Sequence, residues 1–143
     1  MADFSTIKAK VKAKVVGLSS YFDSSSVFDY EPDIGEVHAD PWATVITSGN
    51  ENDFASTGDN KRTYAFNIRV FVKRGSTRTK SEAETLLQSI IDDLIDAFDQ
   101  DFTLGSTVLI SRAVPSRWGY VDAVDEYRTA EVNVRAQTWF DIT

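Results

Sequence analysis

The sequence predicts an α+β fold: a largely antiparallel sheet of about four to six strands, two helices packed on it, and a long polar hairpin loop. Three observations carry this. Tyr64, Phe66, Ile68, Val70 and Val72 fall on one side of the alternating segment YAFNIRVFV, the period of a half-buried strand. A polar turn, KRGSTRTK, leads from it into SEAETLLQSIIDDLIDAF, whose apolar residues recur at helical spacing. The segment Tyr127 to Phe140 alternates again, with Ala130, Val132, Val134, Ala136, Thr138 and Phe140 on the inward side.

Residues 3 to 18 fit two periods. Ile7, Ala9, Val11, Ala13 and Val15 alternate with lysines, as in a strand. Phe4, Ile7, Val11, Val15 and Leu18 also fall within roughly 80° on a helix. Only the helix accounts for Phe4 and Leu18, and Ala and Lys are good helix formers. A helix is predicted, capped by Asp3 or Ser5. Gly17 and the serines that follow end it. Val27 to Tyr30 reads as a short strand, Glu31 to Pro41 as a loop, and Trp42 to Ser48 as a β-branched strand.

Gly49 to Lys61 (GNENDFASTGDNK) is polar and rich in Gly and Asn, which predicts a loop. Asn50, Asn52, Asp53, Phe54, Asp59 and Lys61 are its candidate interface residues. The next strand, Arg62 to Lys73, leaves Phe71 on its polar side. The second helix has two possible capping boxes, Ser81 with Glu84 or Thr79 with Glu82. Its apolar set covers about half the circumference, so it needs cover on two sides, from the sheet and from either the first helix or a neighbouring subunit. Leu104-Gly105 ends the helical region. Val108 to Val114 reads as a strand closed by Pro115, and Trp118 to Ala123 as a separate short strand or turn.

The chain has 143 residues, enough for one domain with a real core. It contains no cysteine, which excludes disulfides, thiolate metal sites and a catalytic thiol. A net charge of -7 argues against binding nucleic acid through a basic surface. No apolar run is long enough to span a bilayer, and MADFSTIKAKVKAK has no apolar core of a secretory signal. Folding in a cytoplasm is expected.

Little in the chain points to catalysis. His38 is the only histidine, so no second imidazole exists to share a metal. No Gly-x-Ser-x-Gly elbow is present, and no Gly-rich phosphate loop follows a strand. Asp92, Asp96 and Asp99 fall within roughly 60° on the polar face of the second helix. Side chains on one convex face diverge, which opposes a metal cage. Carboxylates near a helix C-terminus also oppose its macrodipole. This face is therefore a candidate partner surface or a site of electrostatic action. Trp118 and Tyr120 form a candidate aromatic contact, or else the edge of a core. Lys8, Lys10, Lys12 and Lys14 form a candidate basic helix face. No catalytic residue, cofactor or metal is expected, and no enzyme.

This order of elements, with SEAETLLQSIIDDLIDAF following an alternating strand, resembles the tail terminator (tail-completion) proteins of long-tailed bacteriophages. The likeness covers essentially the whole chain, 1–143, as a single tail-terminator-like domain. It implies a virion structural protein, assembled in the host cytoplasm, that forms a hexameric ring. Such a ring caps the tail tube, stops its polymerisation, and joins the head or neck connector. The implied partners are copies of itself, the tail tube protein and a neck or head-completion protein. DNA would pass through the channel without specific binding, the resemblance makes Asp92, Asp96 and Asp99 a candidate channel or inter-subunit acidic face, and no membrane is involved. A head-completion or neck protein of related fold is the alternative, and a small hydrolase a more distant one.

Overall fold

A computed structural model of the chain describes residues 3–33, 36–54, 59–74, 78–121 and 127–141, with backbone alone at 50–54, 59–60 and 139–141. The elements run α1 (Phe4–Val16), β1 (Val27–Phe28), β2 (Trp42–Phe54), β3 (Asp59–Lys73), α2 (Lys80–Gln100), β4 (Ile110–Val121) and β5 (Tyr127–Asp141). The strands form one sheet in the order β1-β2-β3-β5-β4. β1 runs parallel to β2 and every other pair is antiparallel. The fold class is α+β, as the alternation predicted.

Helix α1 forms with the predicted stripe inward: Ile7, Val11 and Val15 are buried. Asp3 is the cap, its carboxylate accepting from the Thr6 N–H at 2.8 Å. Phe4 meets Tyr64 edge-on at 4.6 Å and so ties the helix to β3. Helix α2 takes the Thr79 and Glu82 capping box, not Ser81 and Glu84. Glu84 is thereby free to turn toward the sheet. Ala83, Leu87, Ile90, Ile91, Leu94 and Phe98 are buried beneath α2. Both helices lie on one side of the sheet, against Tyr64, Phe66, Ile68, Val70 and Val72 of β3 and Ala130, Val132, Val134 and Ala136 of β5. The second cover that α2 required comes from within the chain. The Lys14 ammonium contacts the Asp101 carboxylate at 2.7 Å, and the Tyr21 hydroxyl donates to Asp93 at 2.7 Å.

Three expectations are corrected. Gly49 to Phe54 and Asp59 to Lys61 are strand and not loop, pairing from Gly49↔Ala65 to Phe54↔Asn60, while 55–58 of the expected loop lie outside the described residues. β3 also pairs along its full length with β5, and two paired neighbours impose an extended backbone that the local composition disfavours. A register shift between Thr47 and Gly49 leaves Ser48 as the extra residue of a bulge. Second, Val108 to Val114 and Trp118 to Ala123 are not separate. Within the described residues they are one strand, β4, running through Pro115 with a bulge between Pro115 and Arg117. Proline is tolerated because β4 is an edge strand. Third, α2 ends at Gln100, and Leu104, Gly105 and Ser106 follow with positive φ. Leu104 adopts φ 50° although it is not glycine, and its burial in the core offsets that strain.

Phe71, off-pattern in the sequence, belongs to a second cluster on the other side of the sheet. Trp42 and Phe71 stack at 3.8 Å, nearly parallel, and Tyr127 meets both rings edge-on. Val37 completes the buried group. Beyond this cluster, no helix covers that side of the sheet among the described residues.

Candidate functional site

The sheet separates a surface covered by the two helices from one left bare of helices among the described residues. On the helix side, Asp92, Asp96 and Asp99 are all exposed on the outer face of α2, joined by Asp93. No basic residue stands in the last turn of α2, so the carboxylates remain opposed to the macrodipole. On the bare side, the registers place Lys61, Arg69, Lys73, Arg112, Arg117 and Arg135 on one face of the sheet. Glu131, 3.8 Å from Arg117, is the one acid there among the described side chains, and by backbone register Glu51, Asp53, Asp59 and Asp141 occupy positions of the same face. Arg112 and Arg135 are direct cross-strand partners. They border an open groove of about 550 Å³ with Ile110, Val114, Asn133 and Gln137.

The predicted aromatic contact is a surface feature. Trp118 is 40% exposed and Tyr120 56%. Arg128 lies 4.5 Å from the Tyr120 ring and 5.7 Å from Trp118, and Arg74 lies 4.6 Å from Tyr120. The Arg128 guanidinium donates to Glu84 at 2.6 Å and to the Gly119 carbonyl at 2.7 Å, which fixes its plane. Trp, Tyr and Arg held in one patch are the residue types that dominate protein interfaces. The sequence reading missed Arg128, Arg74 and Glu84. The signal was available in outline, because antiparallel pairing of β4 with β5 puts Tyr120 opposite Arg128.

The four lysines do not make one face. Lys8 and Lys12 line the flank of α1 toward Asp29, whose carbonyl accepts from the Lys8 ammonium at 2.7 Å. Lys10 and Lys14 line the opposite flank beside Asp101. The reason is helical spacing: residues two apart diverge by about 200°, so the lysines straddle the buried stripe. The candidate interface residues Asn50, Asn52, Asp53, Phe54 and Asp59 sit in strands by backbone, and their side chains lie outside the described residues. Lys61 is half-buried on the bare face. His38 is exposed. Among the described residues no group of three or more His, Asp or Glu is placed to hold a metal ion. No helix there is long and apolar enough to cross a membrane.

Several carboxylates are held below their ordinary values. Glu84 is lowered from 4.5 chiefly by the hydrogen bond from Arg128. Asp101 is lowered from 3.8 by the hydrogen bond from Lys14, then by the Gly105 N–H. Asp3, Asp23 and Glu82 are lowered by hydrogen bonds from Thr6, Ser25 and Thr79 respectively. A depressed folded-state value stabilises the fold above the unfolded value, and that stability disappears as pH falls through the folded value. Thermal stability is therefore expected to hold from neutral pH to about pH 4.5 and to decline steeply below it. Glu84→Gln should lower stability at pH 7 and flatten the acid limb in melts taken across pH 3 to 7. An unchanged slope would remove Glu84 from the account.

No protein-family model matches this chain, and no curated protein matches it.

Proposed function

We propose that this protein is a non-enzymatic structural subunit that assembles into a ring and caps the tail tube of a long-tailed bacteriophage. The observation that carries the reading is the distribution of surface chemistry. One side of the sheet is left bare of helices and densely charged, the outer helix is acidic, and an Arg-braced aromatic pair stands exposed at the rim. These are surfaces suited to contact with other protein chains. The order of elements, close to that of tail terminator proteins, supports the tail-capping role.

The breadth of apolar surface on α2 does not support a ring, because α1 and the chain after it cover that surface from within. The test has two parts. Light scattering should show a ring, or a monomer that becomes one on addition of tail tube protein. Particles made without the protein should carry overlong tails. Normal tails unjoined to heads would instead assign it to the neck. A protein that stays monomeric with tube protein and leaves tail length unchanged when deleted would end the proposal.

A further inference from the structure

The two long edges of the sheet are finished differently. On β4 the Ser111 N–H points outward, where the Phe102 carbonyl takes it at 2.6 Å. Amides alternate sides along a strand, so Ala113 and Pro115 face outward too. Pro115 has no N–H, and the bulge that follows it bends the rest. That edge is poorly placed to accept another strand. On β2 the outer side is paired only at Ala43 and Thr44, by the two residues of β1. From Thr47 to Phe54 no strand pairs with it among the described residues. Eight residues span about 26 Å, enough for a full strand. Alternation also fixes which groups are open there. The Ala43 N–H donates outward to the Ser26 carbonyl at 3.0 Å, so Thr47 faces outward as well. Ser48 shifts the count by one. Beyond it Gly49, Glu51 and Asp53 bond to Ala65, Thr63 and Lys61, and Asn50, Asn52 and Phe54 face outward.

We infer that the outer edge of β2 accepts an extended segment of another protein as an added strand, with Lys or Arg at the position beside Glu51. Main-chain hydrogen bonds to Thr47, Asn50, Asn52 and Phe54 hold it. This goes beyond the ring reading and stands without it. The occupant is not a second copy of this chain. The β4 edge of a copy is closed to pairing and β1 has two residues, which leaves β2 against β2 about a two-fold axis. Registers centred on Glu51, Asn52 or Asp53 then set carboxylate positions directly opposite one another, which repels. A register centred on Asn50 runs into the bulge at Ser48. Residues 42–54 hold Glu51 and Asp53 and no Lys or Arg. Within the chain Asp53 stands opposite Lys61, whereas Glu51 stands opposite Thr63. Glu51 is therefore the position at which a base in the incoming strand gains most.

Hydrogen exchange followed by NMR on the full-length protein tests this, with a ten-residue synthetic peptide alternating threonine and lysine as the probe. In the free chain the Thr47, Asn50, Asn52 and Phe54 amides should exchange about tenfold or more faster than those of Gly49, Glu51 and Asp53. Saturating peptide should slow the first set about tenfold and leave the second unchanged. The same peptide with glutamate for lysine should bind about tenfold more weakly. Asn52→Pro removes one outward donor without touching the ladder to β3, and should weaken binding about tenfold, whereas Asn52→Ala should not. Should the proline variant not fold, a fully N-methylated probe makes the same test on the parent chain, where it should fail to bind. Binding that slows no β2 amide, or no binding at about 1 mM peptide, overturns the inference. Equal binding of the lysine and glutamate peptides overturns the assignment to a basic segment. Slow exchange of the outward amides without peptide, growing with protein concentration, would show β2 pairing with itself and overturn the occupant. None of these outcomes decides whether the chain forms a ring with tube protein, which light scattering reads separately.

Discussion

Replacing Phe66 with alanine should cost about 3–5 kcal/mol and lower the melting temperature by on the order of 10 °C. Phe66 is fully buried in β3, the central strand, with Val134 of β5 beside it and Thr47 of β2 on the other side. The ring of Phe4 approaches edge-on at 5.9 Å from α1. Removing the phenyl group therefore opens a cavity where the sheet and the first helix meet. The paired strands on either side cannot close it without breaking ladder hydrogen bonds, so collapse is limited and the loss falls in the upper part of the range. Against a stability of about 5–15 kcal/mol, typical of domains this size, this is a large fraction. Denaturant titration measures it directly. A loss below about 1 kcal/mol would mean that β3 is not the centre of the core.

The second large effect is expected at Trp42, on the opposite side of the sheet. Trp42 is 1% exposed, stacked on Phe71 and met edge-on by Tyr127 and Phe28. Trp42→Ala should cost about 3–5 kcal/mol, because it removes the body of the smaller cluster and its aromatic pairings together. Its signature should differ from that of Phe66→Ala. Val37 and Ala39 pack on this cluster, so hydrogen exchange should accelerate at residues 37–39 well before the sheet itself opens. Trp42→Phe should retain most of the stability, for a specific reason. The indole N–H is buried with no acceptor among the described residues, and phenylalanine removes that unmet group along with some area. Equal losses from Trp42→Phe and Trp42→Ala would show that ring stacking contributes little.

What was legible in the sequence was set by periodicity. The alternation of β3 and β5 and the stripe of α1 gave the right faces, because burial on one side of a sheet or helix leaves a period in the residues themselves. Phe71 broke the pattern, and that break was the mark of the Trp42 cluster, whose other members lie far away in the chain. Gly49 to Phe54 was misread because its residues favour turns, while its extended backbone is imposed by pairing with β3. Pro115 was read as a stop because a proline ends most strands, and only the position of β4 at the sheet edge makes it harmless. The charged surfaces were half visible. The carboxylates of α2 were plain from spacing. The opposing arginines were not, since Arg112 and Arg135 become neighbours only through the β4–β5 register. Arg128 and Glu84, 44 residues apart, were invisible for the same reason.

The guarded rim of β4 has a bearing on how the molecule survives before it is used. A long uncovered strand is the usual seed of amyloid-like growth, since each added chain offers the same template to the next. Here a missing donor, an occupied one and a kink interrupt that template within a few residues. Concentrated solutions of the folded chain are therefore expected to resist fibril growth from this edge.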